Sequence, residues 1–154
     1  MSERGERVRR RGGVYVAVLG VSVLVSVIGM AALAAARVGM RMSLDEVAAA
    51  QADAAARSLV GATLQRCAAD AAWRQKYAAG RWEEAGALGG AKLYVRFVDE
   101  GDGLLADDVA DDARLTVWAQ VGEASRRYSV VVRQATAADP PAAVPGTWRR
   151  EMAQ

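Results

Sequence analysis

Val14 to Ala36 is a run of 23 residues without a charge, and no other feature of the chain restricts its folding so strongly. As an α-helix it is about 34 Å long at about 1.5 Å per residue, enough to cross a hydrocarbon core of about 30 Å with slight tilt. Lipid supplies no hydrogen-bond partners to a bare backbone, so the run is expected to be helical despite its many valines. Arg7, Arg9, Arg10 and Arg11 precede it, and Arg37 and Arg41 follow. The excess of arginine on the N-terminal side places residues 1–13 in the cytoplasm as a basic leader. The body of the chain then lies on the far side of the inner (cytoplasmic) membrane, in the periplasm. A second reading is open. Ala34-Ala35-Ala36 is an A-x-A site at which a signal peptidase would cut before Arg37 and release the body. Signal sequences usually carry an apolar stretch of roughly 7–15 residues; this one is longer, which favours a permanent anchor over residues 14–36. Ser22, Ser26 and Gly29 place small residues along the span, where helices in lipid make close contacts.

The chain contains no histidine, and Cys67 is its only cysteine. That excludes histidine acid–base catalysis, Cys–His nucleophilic pairs and zinc sites built from Cys and His. An internal disulfide is excluded as well, and Cys67 is expected to be a buried, inert thiol on an alanine-rich helix. Beyond the apolar run, roughly 115 residues remain, enough for one modest core. The net charge of +2 hides a segregation. The first 13 residues hold five Arg and two Glu, whereas Asp99 to Asp112 holds seven acids and no base.

Ser43-Leu44-Asp45-Glu46 has the S-x-x-E pattern of a capping box, and the alanine-rich, proline-free run to Tyr77 reads as a helical stem over residues 37–79. Leu44, Val47, Ala48, Ala55, Leu59, Ala62 and Arg66 fall near a 3.6-residue period and form its expected apolar face. Arg57, Gln65, Arg66, Asp70 and Arg74 are expected to face water. Gly39 with the capping box predicts a break near Gly39–Ser43; without one, a single helix runs from about Gly13 to Tyr77.

Glycines at 80 and over 86–90 mark turns. Lys92 to Val98 alternates, with Leu93, Val95 and Phe97 on one face and Lys92, Tyr94 and Arg96 on the other. Arg114 to Val121 repeats the pattern through Leu115, Val117, Ala119 and Val121. After a turn at Gly122-Glu123-Ala124, Arg126 to Arg133 directs Tyr128, Val130 and Val132 inward, closing a hairpin. The expected fold class is α+β, a long N-terminal helix packed on a three- to four-stranded antiparallel sheet within residues 80–135. Residues 136–154 hold all three prolines and are expected to be irregular, with Trp148 as the one residue able to pin them.

Between the first two strands lies the acidic loop, residues 99–112. Hard cations take several carboxylate oxygens, so Asp99, Asp102, Asp107 and Asp108 are candidate calcium ligands. The EF-hand register fails, because Gly101 and Gly103 occupy the third and fifth positions counted from Asp99. The alternative is a solvated turn using Asp and Gly for turn chemistry. No cofactor site is read. Nucleophile–base pairs are absent, and the paired carboxylates lack the aromatic surroundings of a glycosidase cleft, so no enzymatic activity is expected. The exported head has no basic-aromatic patch in sequence, so nucleic acid is not an expected partner.

The basic leader ending in Arg11-Gly12-Gly13-Val14, the apolar helix beginning at once after it, the stem and the small sheet together resemble type IV pilin-like proteins. The likeness is to the minor pilins and minor pseudopilins of type IV pili and type II secretion systems. The segment from Trp73 to Val132 is also similar to pilin-like membrane proteins of planctomycete-type bacteria. The resemblance implies a prepilin-type processing junction at Gly12, Gly13 and Val14, and assembly with other pilin-like subunits or assembly proteins through the N-terminal helix. Pilins commonly carry Phe first and Glu fifth in the mature chain. Here those places hold Val14 and Val18, or Gly13 and Ala17, which fits a minor subunit better than a major one. Two alternatives stand beside it: a membrane-anchored envelope adaptor whose sheet binds a protein or polymer, and a secreted calcium-binding domain released at Ala36.

Overall fold

The computed structural model describes residues 3–108, 111–137 and 139–152. The chain divides into two compact units, Met1–Leu44 and Asp45–Gln154. The first unit is the N-terminal part of helix α1, Glu3–Ala68. The helix begins well ahead of Gly13, because Glu and Arg are good helix formers and a glycine costs only about 1 kcal/mol in a helix. Its large apolar side chains are open to the surroundings, among them Val14 at 65%, Leu24 at 59% and Ile28 at 59% exposure. Mean hydropathy reaches 2.6 over 18 residues, and among the described residues this is the one helix long and apolar enough to cross a membrane. Ser22 and Ser26 donate their hydroxyls to the carbonyls of Val18 and Ser22, both at 2.9 Å, which satisfies them within the helix.

The expected break near Gly39–Ser43 is absent. The Ser43 hydroxyl donates to the Gly39 carbonyl at 3.1 Å instead of capping a new helix. With the backbone already helical ahead of Ser43, there are no orphan N–H groups for a capping box to satisfy.

In the second unit the remainder of α1 buries Ala52, Ala55, Ala56, Leu59, Val60, Thr63 and Cys67. These positions step by three or four, one stripe of a 3.6-residue period. The stripe corrects the expected face in part: Ala55 and Leu59 belong to it, whereas Val47 and Arg66 are exposed. The alanines Ala52, Ala55 and Ala56 form part of this buried face beside Leu59 and Val60.

The helix ends at Ala68 and not near Tyr77. The Asp70 carboxylate accepts from the Ala72 N–H at 3.1 Å, and Asp70 pairs with Lys76, so the chain turns before the short helix α2, Trp73–Lys76. The turn delivers Trp73, 1% exposed, into the core. Its indole Nε1–H donates to Gln134 Oε1 at 3.1 Å, and its ring meets Phe97 with centroids 5.0 Å apart.

Six antiparallel strands form the sheet: β1 Glu83–Leu88, β2 Ala91–Asp99, β3 Ala113–Val121, β4 Ala124–Arg133, β5 Ala142–Ala143 and β6 Arg149–Glu151. Their order is β1-β2-β3-β4-β5, with β6 also paired to β4. The sheet and α1 together make an α+β arrangement. Gly89 and Gly90, at φ of 57° and 82°, form the two-residue β1–β2 turn, a conformation that needs positive φ at both central positions. The inner face carries Leu93, Val95, Phe97, Leu115, Val117, Ala119, Tyr128, Val130 and Val132, all buried as the alternation predicts. They align in cross-strand rows such as Phe97–Leu115–Val130 and Val95–Val117–Tyr128. Full burial of each larger member is worth about 1.5–3 kcal/mol. One polar tie joins helix and sheet: the Tyr128 hydroxyl donates to Asp53, and Arg57 donates to the Tyr128 oxygen at 3.3 Å.

Two expectations on the sheet are corrected. Residues 86–88, read with the rest of 86–90 as turn material, belong to strand β1, Glu83–Leu88, which is bulged between Glu84 and Gly86. The segment after residue 136 is not irregular throughout. It returns twice to β4, with Val144 N–H donating to the Val131 carbonyl at 2.8 Å and Val131 N–H donating to Thr147 Oγ1 at 3.1 Å. Trp148 is not the pin, since it is 46% exposed; backbone pairing holds this segment instead.

Cys67 gives a direct check of the core. It is buried, and burial first, then the Asp70 charge, pushes its thiol up to about 12. The thiolate is the reactive form, so at pH 8 the native protein should resist alkylation by iodoacetamide and label fully in denaturant. An ordinary unfolded thiol ionises near about 8.5, so the unfolded chain gives up its proton first. Stability should therefore fall as the pH rises from that value toward about 12. Rapid labelling of native protein contradicts the packing described.

Candidate functional site

Two places on the second unit combine polar chemistry with burial. The first is the loop between β2 and β3. Its base is closed by the Glu100 N–H donating to the Asp112 carbonyl at 3.0 Å. Glu100 pairs with Arg114 at 2.5 Å. Asp112 accepts a two-pronged contact from Arg133, at 2.7 Å and 2.6 Å, which holds its carboxyl below the usual carboxylate range. Asp99 is 5% exposed, and its Oδ1 accepts from the N–H groups of Gly101 at 2.6 Å and Asp102 at 3.2 Å. Oxygens of Asp99, Asp102 and Asp111 lie within 4.8 Å of one another.

The structure gathers only part of the sequence-derived set of carboxylates. Asp99 and Asp102 come together, Asp107 and Asp108 stand outside the group, and the third member is Asp111. The loop folds back so that its end, not its middle, faces its start. Arg74 causes that fold. Expected to face water, it is 5% exposed and donates to the backbone carbonyls of Asp111 at 2.7 Å, Asp108 at 2.9 Å and Leu105 at 3.4 Å. A guanidinium whose terminal nitrogens donate to three loop carbonyls gathers the loop around itself, and Leu105 is buried beside it at 2% exposure.

The second place is the outer face of the sheet. Tyr94 and Trp118 are direct cross-strand neighbours with rings stacked at 4.9 Å, and Trp82 meets Trp118 edge-on at 6.0 Å. The guanidinium groups of Arg96 and Arg127 lie over the Trp82 ring, at 4.8 Å and 5.4 Å from its centre. Arg96 Nε, Arg127 Nε and the hydroxyls of Thr116 and Ser129 are all buried with no hydrogen-bond partner among the described residues. This overturns the expectation that the head lacks a basic-aromatic patch. Trp82, Arg96, Trp118 and Arg127 are scattered over four segments, and only the register of the sheet gathers them. Strand alternation already put Tyr94 and Arg96 outward; the two tryptophans were the overlooked signal.

The junction residues Gly12, Gly13 and Val14 lie within α1. No family model, no curated protein and no solved structure matches the chain.

If Arg74 is what shapes the acidic loop, Arg74→Met should loosen the loop and little else. Amide exchange over residues 100–108 should accelerate roughly tenfold or more, as expected when three buried carbonyls lose their donor. Exchange in β3 and β4 should be unchanged. Hydrogen-exchange mass spectrometry measures both, and unaltered loop exchange refutes the role.

Proposed function

We propose that the chain is a non-enzymatic, single-pass membrane protein, pilin-like in build, acting as a minor component of a type IV pilus or type II secretion pseudopilus. Val14–Ala36 is the anchor, the arginine-rich leader is cytoplasmic, and the second unit is exported. The observation that carries this reading is the exposure of every large apolar side chain from Val14 to Leu33. The second unit, by contrast, completes a core of its own. An apolar helix left open on all sides is matched by lipid or by other apolar helices. The antiparallel sheet on the later part of α1 supports the likeness to pilins in architecture, and the Gly12-Gly13 pair supplies a junction of the prepilin type.

Mass spectrometry of the protein extracted from membranes of its native host tests this. A mature chain starting at Gly13 or Val14 is the expected result. An intact Met1 rules out prepilin processing, and a start at Arg37 replaces the anchor with a cleaved signal.

The outer face of the sheet favours a second reading, a membrane-anchored envelope adaptor. Arg96 and Arg127 make no ion pair among the described residues and sit beside three aromatic rings. That surface suits a carboxylated polysaccharide, whose acid groups meet arginine while its sugar rings lie on Trp and Tyr faces. Binding of the detergent-solubilised chain to polygalacturonate should weaken at least about tenfold in Arg96→Gln/Arg127→Gln, in line with loss of two charge-assisted contacts, and should fall with salt. Equal binding to neutral dextran refutes this reading. Tighter binding to single-stranded nucleic acid replaces it.

A further inference from the structure

Charge balance within the acidic loop is uneven. Its two outer acids are neutralised, Glu100 by Arg114 and Asp112 by Arg133. Asp99, Asp102 and Asp111 make no ion pair among the described residues, although their oxygens converge within 4.8 Å. Asp99 is the telling member. It is 5% exposed, and while Oδ1 takes two backbone N–H groups, Oδ2 is buried with no donor. A buried carboxylate oxygen left bare costs more than a neutral one, so such an atom needs a proton donor or a cation. The backbone is also shaped around this group. A Cβ on Gly101 would stand 2.7 Å from Asp111 Oδ2 and 3.2 Å from Asp99 Oδ1, so a larger residue here would push the Asp111 carboxylate aside.

We propose that Asp99, Asp102 and Asp111 form a binding site for one divalent cation, calcium. The donors are all hard oxygens, and the irregular loop that carries them suits the flexible six- to eight-fold coordination of calcium. Magnesium demands near-ideal octahedral geometry at shorter distances and keeps its waters. Zinc and copper favour nitrogen or sulfur, and the only thiol, Cys67, is buried on α1. Arg74 contributes from beneath. By fixing the carbonyl of Asp111 it keeps that residue facing Asp99, so the site is held together before the ion arrives. Desolvation and the neighbouring acids, Asp108 first and then Asp99, Asp102 and Asp107, raise the Asp111 carboxyl above its usual range. A cation relieves that repulsion.

The test uses the full chain in detergent, stripped with chelator and melted against added CaCl2, MgCl2 or NaCl of matched ionic strength. A loop site of this kind should have a Kd of about 10⁻⁴–10⁻³ M. Calcium at about ten times Kd should then raise Tm by roughly 3–6 °C. Magnesium at the same concentration should give less than half of that, by the coordination argument above, and NaCl should give no rise. Asp102→Asn and Asp111→Asn should each abolish the calcium shift, whereas Asp107→Asn should retain it. Asp102 is exposed, so its variant is expected to fold normally and keeps the test decisive if Asp111→Asn does not fold. The proposal is overturned by no calcium shift up to about 10 mM, roughly ten times the weakest Kd expected of such a site. An undiminished shift in Asp102→Asn, or equal loss in Asp107→Asn, overturns it too, because both indicate diffuse screening. The proposal does not depend on the pilin-like reading, which the N-terminal mapping decides separately.

Discussion

The contact between one alanine-rich stripe of α1 and one face of the sheet supports everything else in the second unit. A sheet with nine apolar residues on one side is unstable until that side is covered, and the stripe from Ala52 to Cys67 is what covers it. Ala52, Ala55 and Ala56 contribute little area each, and Leu59 and Val60 bring the larger apolar side chains of the stripe into the core. The Asp53–Tyr128–Arg57 cluster then fixes the helix against β4 at the margin of this contact. Such a partly exposed cluster adds less energy than the apolar packing and more definition of register.

The acidic loop depends on the same packing through a short chain of causes. Trp73 is buried because the helix ends early and turns inward, and its neighbour Arg74 is thereby carried under the loop. A buried guanidinium must find acceptors, and three backbone carbonyls of the loop are what it finds. The conformation of an acid-rich surface segment is thus set from within the core, by a cation that leaves the carboxylates themselves unneutralised. On the opposite side of the sheet the logic is reversed. There, arginines lie over indole rings with polar atoms left bare beneath them.

The three central strands were legible because each alternates strictly, and a one-residue slip would turn every apolar residue outward. The membrane-length run was equally plain. Strand β1 was not, since Glu-Glu-Ala-Gly-Ala-Leu has low β-propensity and pairs because β2 offers it an edge. Strands β5 and β6 are illegible for a similar reason: both are short, β5 follows a proline pair, and both are held by backbone pairing, to which composition is blind. The stem was over-extended because alanine content says helix and cannot announce that Asp70 will capture a backbone N–H. Of the cation ligands, Asp99 and Asp102 follow from local spacing. Asp111 required knowledge of the return path of the loop, and that path is dictated by Arg74, distant in sequence.

The two edges of the sheet bear on how copies of this chain can meet. Strand β1 is interrupted by its bulge at Glu84–Gly86, and the far side of β4 is occupied by two short strands that leave little continuous backbone open. Neither edge offers the long flat ladder that a neighbouring copy needs to add itself as an extra strand. The sheet of one copy is therefore a poor template for the sheet of another, however closely the two are brought together.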